Sequence, residues 1–263
     1  MKKYLYIYKS EVMTSLGYTF DTLIGFIGYV IMIFIFLNLW NYIYSDPNEL
    51  INGFSMSDMI WYVIVTEILW SSMGARKLCK NIANDVKSGN ITYNLNKPYS
   101  YIQYILYNHL GHITVKFILI TILGMILGLI FLGTFPNLNI LSFLAIILTC
   151  ILATIVNILL TSCIGLLSFY IEDSNPIFWM YSKLILIFGT IFPVEFFPNI
   201  IQKFLNFSPV YAINYAPAKL FVKFSPELFI NVLVIQIIYI LIGALLAHLI
   251  YKKGVRKLNV NGG

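Results

Sequence analysis

Three histidines, three cysteines and one carboxylate inside an apolar run are the residues with chemistry to offer. His109 and His112 stand three apart, so they would share a helix face, as imidazole ligands to a metal do. No neighbouring cysteine or carboxylate completes such a set, and polar residues near a membrane surface are the plainer reading. Cys79, Cys150 and Cys163 cannot form a disulfide framework; they read as small buried hydrophobes. Glu67 lies near the middle of an apolar run. A carboxylate there costs roughly 3 kcal/mol on the insertion scale and faces protein rather than lipid. It reads as a structural partner in a helix bundle, as a residue on a pore or substrate path, or as a proton-coupling group. An ion-driven carrier brings several such residues and paired broken helices, and no such repeat occurs here. There is no phosphate-binding loop, His-Glu-x-x-His or Gly-x-Ser-x-Gly pattern.

The elements that hold these residues follow from composition. Of 263 residues, 59% are hydrophobic and 11% are charged, and the mean hydropathy is +0.83. Soluble domains carry about 25% charged residues. These figures exclude a soluble enzyme, a disordered chain and a secreted disulfide scaffold. They fit an all-α, polytopic membrane protein with six transmembrane helices in a single domain spanning 1–263. The expected spans are about 20–42, 58–75, 108–134, 140–170, 177–193 and 227–251. The first contains thirteen Leu, Ile, Phe and Val residues between positions 20 and 40. At about −0.3 to −0.6 kcal/mol each, insertion gains on the order of 4–8 kcal/mol. Lys116 sits one turn inside the third and can snorkel. Gly124 and Gly128 form a small-xxx-small pair suited to close helix packing. The fifth span is short, carries Lys183 and ends at Pro193.

Between the fifth and sixth spans, Pro193, Pro198, Pro209, Pro217 and Pro226 cut the chain into apolar pieces too short to cross. Residues 194–225 read as a re-entrant helical hairpin, or as helices lying flat on the surface.

Charge orients the spans. Lys2, Lys3 and Lys9 outweigh Glu11 at the N-terminus. Arg76, Lys77, Lys80, Lys87 and Lys97 outweigh Asp85 in the 76–100 loop, and Lys252, Lys253, Arg256 and Lys257 end the chain. Asp46, Glu49 and Asp58 make the 45–58 loop acidic. Basic loops mark the cytoplasm, which puts both termini there. The formal net charge of +6 then reflects topology and lipid contact, not nucleic acid. The first residues are no cleavable signal, because the apolar run is too long. Leu5, Tyr8, Val12 and Leu16 recur at helical spacing, so 1–19 reads as an interfacial amphipathic helix. In the 76–98 loop Leu78, Ile82 and Val86 make one apolar face, and Ser88-Gly89-Asn90 stops the helix. Such a helix docks a soluble partner or rests on anionic lipid.

The stretch from Ile82-Ala83-Asn84-Asp85-Val86-Lys87-Ser88-Gly89 to Leu95-Asn96-Lys97-Pro98, with Pro193-Val194-Glu195-Phe196-Phe197-Pro198 and Phe207-Ser208-Pro209 later, resembles the six-span permease subunits of type-2 ABC exporters. The match covers nearly the whole chain. The resemblance implies a permease in a bacterial or archaeal cytoplasmic membrane that forms the translocation path, and the uncharged, aromatic-rich spans favour a hydrophobic or amphipathic substrate such as a drug-like compound, peptide or lipid. It implies two ABC ATPase subunits that bind ATP and Mg, a second identical or homologous permease, and no cofactor on this chain. It assigns Ile82, Asp85, Val86 and Lys87 to ATPase coupling, and Tyr4, Tyr8 and Glu11 to the interface helix. Trp61, Glu67, Trp70, Phe188 and Phe192 fall on the translocation path or permease interface, with ordinary helix packing as the alternative. Pro193, Glu195, Pro198 and Pro209 mark the re-entrant segment, with short helices over 196–207 and 210–221. A proton-coupled carrier and a membrane-embedded lipid-modifying enzyme are the alternatives. Glu67 alone supports the first, and no polar catalytic cluster supports the second.

Overall fold

A computed structural model describes residues 2–44, 46, 49–95, 97–136 and 138–261. Asn96, inside the Leu95–Pro98 motif, lies outside them. Every regular element described is a helix, and an isolated bridge pairs Ile51 with Phe54. In order these are α1 (Lys2–Leu16), α2 (Thr19–Ile43), α3 (Met56–Ser72), α4 (Ala75–Lys87), α5 (Ile91–Leu95), α6 (Tyr101–Leu132), α7 (Ile140–Leu166), α8 (Asn175–Ile185), α9 (Asn199–Asn206), α10 (Ala216–Val222) and α11 (Pro226–Asn261). Among the described residues, four helical stretches are long and apolar enough to cross a membrane: Thr19–Ile43, Tyr101–Leu132, Ile140–Phe169 and Pro226–Lys257.

The helix over the second expected span is shorter. α3 has 17 residues, about 26 Å at 1.5 Å per residue, and it is the centre of the bundle. Residues 59–69 are all buried, Glu67 among them. α2, α6 and α10 pack around it. A capping box starts it: Ser55 Oγ accepts from the Asp58 amide at 3.2 Å, and Asp58 accepts from the Ser55 amide at 3.0 Å. The small pair on α6 works as its spacing predicts. A Cβ at Gly128 would lie 2.3 Å from the Trp61 ring, and one at Gly124 2.6 Å from Tyr29 Oη. Any larger residue there pushes α6 off α2 and α3.

The fifth expected span is a broken helix. α8 continues into a π-helical stretch, Leu186–Ile191, and a second such stretch, Tyr211–Tyr215, leads into α10. The two lie together, with Gly189 against Val210. Backbone groups freed by such irregular turns need partners. Tyr62 Oη donates to Gly189 O at 2.9 Å, Thr66 Oγ1 to Thr190 O at 3.3 Å, and Gln236 Nε2 to Ala212 O at 2.9 Å. In the proline-rich stretch the observed helices are Asn199–Asn206, then Tyr211–Tyr215 with Ala216–Val222. The first is shorter than the expected 196–207 because Pro198 sets its start, the second covers the expected 210–221 shifted by one residue, and the turn at Phe207-Ser208 separates the two. Residues 211–218 are buried, whereas Ile200 and Phe204 of α9 are exposed.

The apolar stripe read on α1 does not form its main contact. Tyr8 and Val12 are half-buried, but Leu5 and Leu16 stay exposed. α1 docks on α6 through Tyr4, Tyr8, Glu11 and Ser15. The receiving surface is polar, so hydrogen bonding rather than apolar burial sets the roll of the helix. Tyr4 Oη accepts from the Ser100 amide at 3.0 Å, and Tyr8 Oη lies 3.2 Å from Thr114 Oγ1. Glu11 accepts from Asn108 Nδ2 at 3.0 Å and pairs with His112 at 3.5 Å. Tyr4 stacks on Tyr107, and Lys3 donates to Pro98 O. Gly111 permits this approach, since a Cβ there would sit 2.6 Å from Tyr8 O.

Candidate functional site

Two surfaces gather the polar residues at one end of the bundle. The first is α4. Leu78, Cys79, Ile82, Ala83 and Val86 are buried, while Arg76, Lys77, Lys80, Asn81, Asn84 and Lys87 are exposed. The buried face sits on the last turns of α7. A Cβ at Gly165 would lie 2.9 Å from Ile82 Cβ and 3.1 Å from Cys79 O, so the two backbones nearly touch. Tyr101 Oη donates to Asp85 at 2.8 Å, and Lys87 lies 3.9 Å from Asp173. Tyr101 in turn stacks on Tyr251 of α11. Of the four residues assigned to coupling, Ile82 and Val86 anchor the helix, Asp85 ties it to α6 and Lys87 faces the 170–174 turn. The free polar face is instead Lys80, Asn81 and Asn84. Helical spacing from Leu78, Ile82 and Val86 already contained that assignment. Burial pushes the Cys79 thiol above its ordinary value, and all three cysteines are free and buried.

His109 and His112 serve packing. His109 Nε2 donates to Met73 O at 2.8 Å, closing the α3–α4 corner. His112 joins Glu11, Ser15 (3.3 Å) and Lys77 (3.4 Å). Both belong to the joint between α1, α4 and α6.

The second surface is a half-open cavity of about 680 Å³ between the α3–α4 corner, α6 and α8. Trp70 lies on its wall. Trp61, Glu67, Phe188 and Phe192 do not, although the same assignment grouped all five. Trp61 is buried near the opposite end, stacked on Phe135, with its Nε1 donating to Thr134 O at 3.1 Å. Phe188 packs on Phe197, and Phe192 on Trp40, Phe196 and Phe197. Glu67 is buried in α3, with Oε1 lacking a hydrogen-bond partner among the described residues. The cations on the cavity wall come from three separate helices, α4, α6 and α8, so no local motif announces them.

The marker residues of the proline-rich stretch meet at the opposite end. Glu195 accepts from Tyr215 Oη at 2.5 Å and from Lys219. Pro193 and Pro198 flank the short turn that carries Glu195, and Pro209 begins the descent into the buried 211–218 stretch.

Long apolar helices, a buried central helix and a two-faced surface helix define a multi-pass helical membrane protein. The family model of the ABC-2 family transporter proteins matches residues 27–262. The chain belongs to that family. It is the membrane permease subunit of an ABC transporter, and membership implies a partner ABC ATPase subunit. No curated protein compared with it gives a significant match.

Proposed function

We propose that this chain is the permease of an ATP-driven exporter and that α4 receives the movement of the ATPase. The observation that carries this reading is the two-faced seating of α4. Its apolar face rests on Gly165 of α7 at backbone distance, and its polar face is exposed. A helix held so closely cannot roll under load. A push on Lys80, Asn81 and Asn84 therefore moves α7 and, through α7, the packed α11. Two copies of the ATPase would bind ATP and Mg, since this chain has no phosphate-binding loop. A second permease, identical or homologous, would complete the path.

In this reading α2, α3, α6, α7, the α8 helix with its π-helical continuation, and α11 cross the cytoplasmic membrane of a bacterium or archaeon. Both termini and α4 face the cytoplasm, which the clustering of lysine and arginine in these segments supports. α9 and the segment through α10 form the re-entrant hairpin closing the outer side, flanked by lipid. The aromatic, mostly uncharged spans favour a hydrophobic or amphipathic cargo moved outward.

Cross-linking of the complex purified with its ATPase tests this. A cysteine at Asn84 is expected to cross-link to the ATPase chain, and one at exposed Phe204 is not. Cross-linking from Phe204→Cys instead would invert the topology and sink the assignment. A proton-driven carrier is the second reading, favoured by buried Glu67, whose Oε1 lacks a partner among the described residues. Transport that persists without any ATPase would select it.

A further inference from the structure

The half-open cavity at the α3–α4 corner has an unusual balance of charge. Arg76, Lys77 and Lys80 of α4, Lys116 of α6 and Lys183 of α8 all line it, and no acidic residue does among those described. Lys77 leans on His112 and Lys183 lies over the Trp179 ring. Arg76, Lys80 and Lys116 have no acidic partner among the described residues. The first turn of α4 also opens here, at Gly74 and Ala75, and its unbonded amides add partial positive charge. Like charges gathered in a cleft with low-dielectric walls focus the field and concentrate anions.

The remaining wall is apolar and aromatic, with Trp70, Ile120, Phe178 and Ile185. Fully buried Asn214 also lines the cavity. Its Nδ2 donates to Thr190 Oγ1 at 2.8 Å, and its Oδ1 lacks a partner among the described residues. An unpaired buried acceptor beside a cavity calls for a donor from whatever fills it. A volume of about 680 Å³ lies in the range of small-molecule sites. Acidic side chains of a docked ATPase could also meet the cations of α4. They would not account for the rest of the wall, formed by Lys116 of α6, Asn214 of the second π-helical stretch and the aromatic rings of α3 and α8.

We propose that this cavity binds amphiphiles with an anionic headgroup, the head at Arg76, Lys80 and Lys116 and the tail along the Trp70–Phe178 wall. A resident anionic lipid and an exported acidic amphiphile share this chemistry. Their assignment as cargo rests on the exporter reading above; binding itself does not.

The test uses the permease–ATPase complex in nonionic detergent. Short-chain phosphatidylglycerol, phosphatidylcholine with the same tails, and glycerol phosphate are titrated against tryptophan fluorescence, since Trp70 and Trp179 line the site. Phosphatidylglycerol is expected to bind at least about tenfold tighter than phosphatidylcholine. Each cation near a membrane surface contributes about fivefold toward an anionic head, so Arg76→Gln with Lys116→Gln is expected to weaken phosphatidylglycerol about 25-fold and leave phosphatidylcholine unchanged. Lys116→Arg keeps the charge and is expected to keep binding, which separates charge from folding. Equal affinity for the two lipids, or no change in the double variant, overturns the proposal. Glycerol phosphate bound as tightly as the lipid also overturns it, in favour of a soluble-anion site. Loss of the ATPase from the double variant with unaltered lipid binding overturns it in favour of ATPase docking. In proteoliposomes, ATP-driven movement of labelled phosphatidylglycerol identifies cargo, and tight binding without movement identifies a resident lipid; both support the site. Intact ATPase association without anionic preference removes this inference and leaves the exporter reading standing. Anionic binding in a chain that never associates with an ATPase does the reverse.

Discussion

Lysines at the two ends of the bundle are used in opposite ways. At the proline-rich end, Lys219 meets Glu195, and Lys223 lies 3.7 Å from Asp58 while donating to Gly53 O and covering the Phe54 ring. Around them Trp40, Phe192 and Phe196 pack edge to face. At the α4 end, Arg76, Lys80 and Lys116 line a half-open cavity with no acid among the described residues. Charges that are neutralised internally close a structure. Charges left unneutralised leave it needing a partner. The difference separates an end whose lysines are paired within the fold from an end whose cations line a cavity with no acid among the described residues.

Breaking the paired end is expected to have the largest effect. Lys219→Met leaves Glu195, whose side chain is 26% exposed, with the Tyr215 hydroxyl alone. The cost is expected at about 1.5–3 kcal/mol, the range of a hydrogen bond to a charged group, read as a lower midpoint in thermal unfolding in detergent. Adding Glu195→Gln should recover most of it; no recovery would show that the pair is not the source. Next comes the seat of α4. Gly165→Leu drives a side chain into Ile82 and the Cys79 carbonyl, and overpacking of this kind costs about 1–3 kcal/mol. The accompanying expectation is loss of stimulated ATPase activity in the complex, and full coupling in a stable Gly165→Leu protein would break the proposed role of α4.

The open end is expected to tolerate more. Lys87→Ala removes an exposed pair 3.9 Å apart, worth about 0–1 kcal/mol. The shift in chemical denaturation midpoint should be correspondingly small. Lys80→Gln, an exposed cation with no acidic partner among the described residues, should change stability by less than about 0.5 kcal/mol. A stability loss like that of Lys219→Met would erase the distinction between the two ends. Last, Cys79 is expected to resist maleimide in the folded protein, because it is buried and burial raises its thiol pKa. Rapid labelling would show that α4 lifts from α7.

Much of the helical layout was legible in the chain because hydropathy is a local property. The α4 face followed from Leu78, Ile82 and Val86, and the contact on α6 from Gly124 and Gly128. The roll of α1 was not legible. Its apolar stripe through Leu5 and Leu16 was real in sequence, but the surface it met on α6 carries Asn108, His112 and Thr114, so hydrogen bonds chose another face. Residue type and span assigned Trp61, Glu67, Trp70, Phe188 and Phe192 to a translocation path or permease interface, and of these Trp70 lines the cavity. Aromatic side chains pack wherever a gap suits them, and these fall in separate places.

The amino-acid sequence by itself determined that this is a helical membrane protein without an ATP-binding loop. Composition and the length of apolar runs suffice for that, since insertion free energy sums over neighbouring residues. Tertiary structure alone decided which cations are spent and which are free. Glu195 and Lys219 stand 24 positions apart, and the cavity joins residues from Gly25 to Asn214. A charge becomes structural or available according to the acid packed beside it, and that distance is set by how the helices pack, not by their order in the chain.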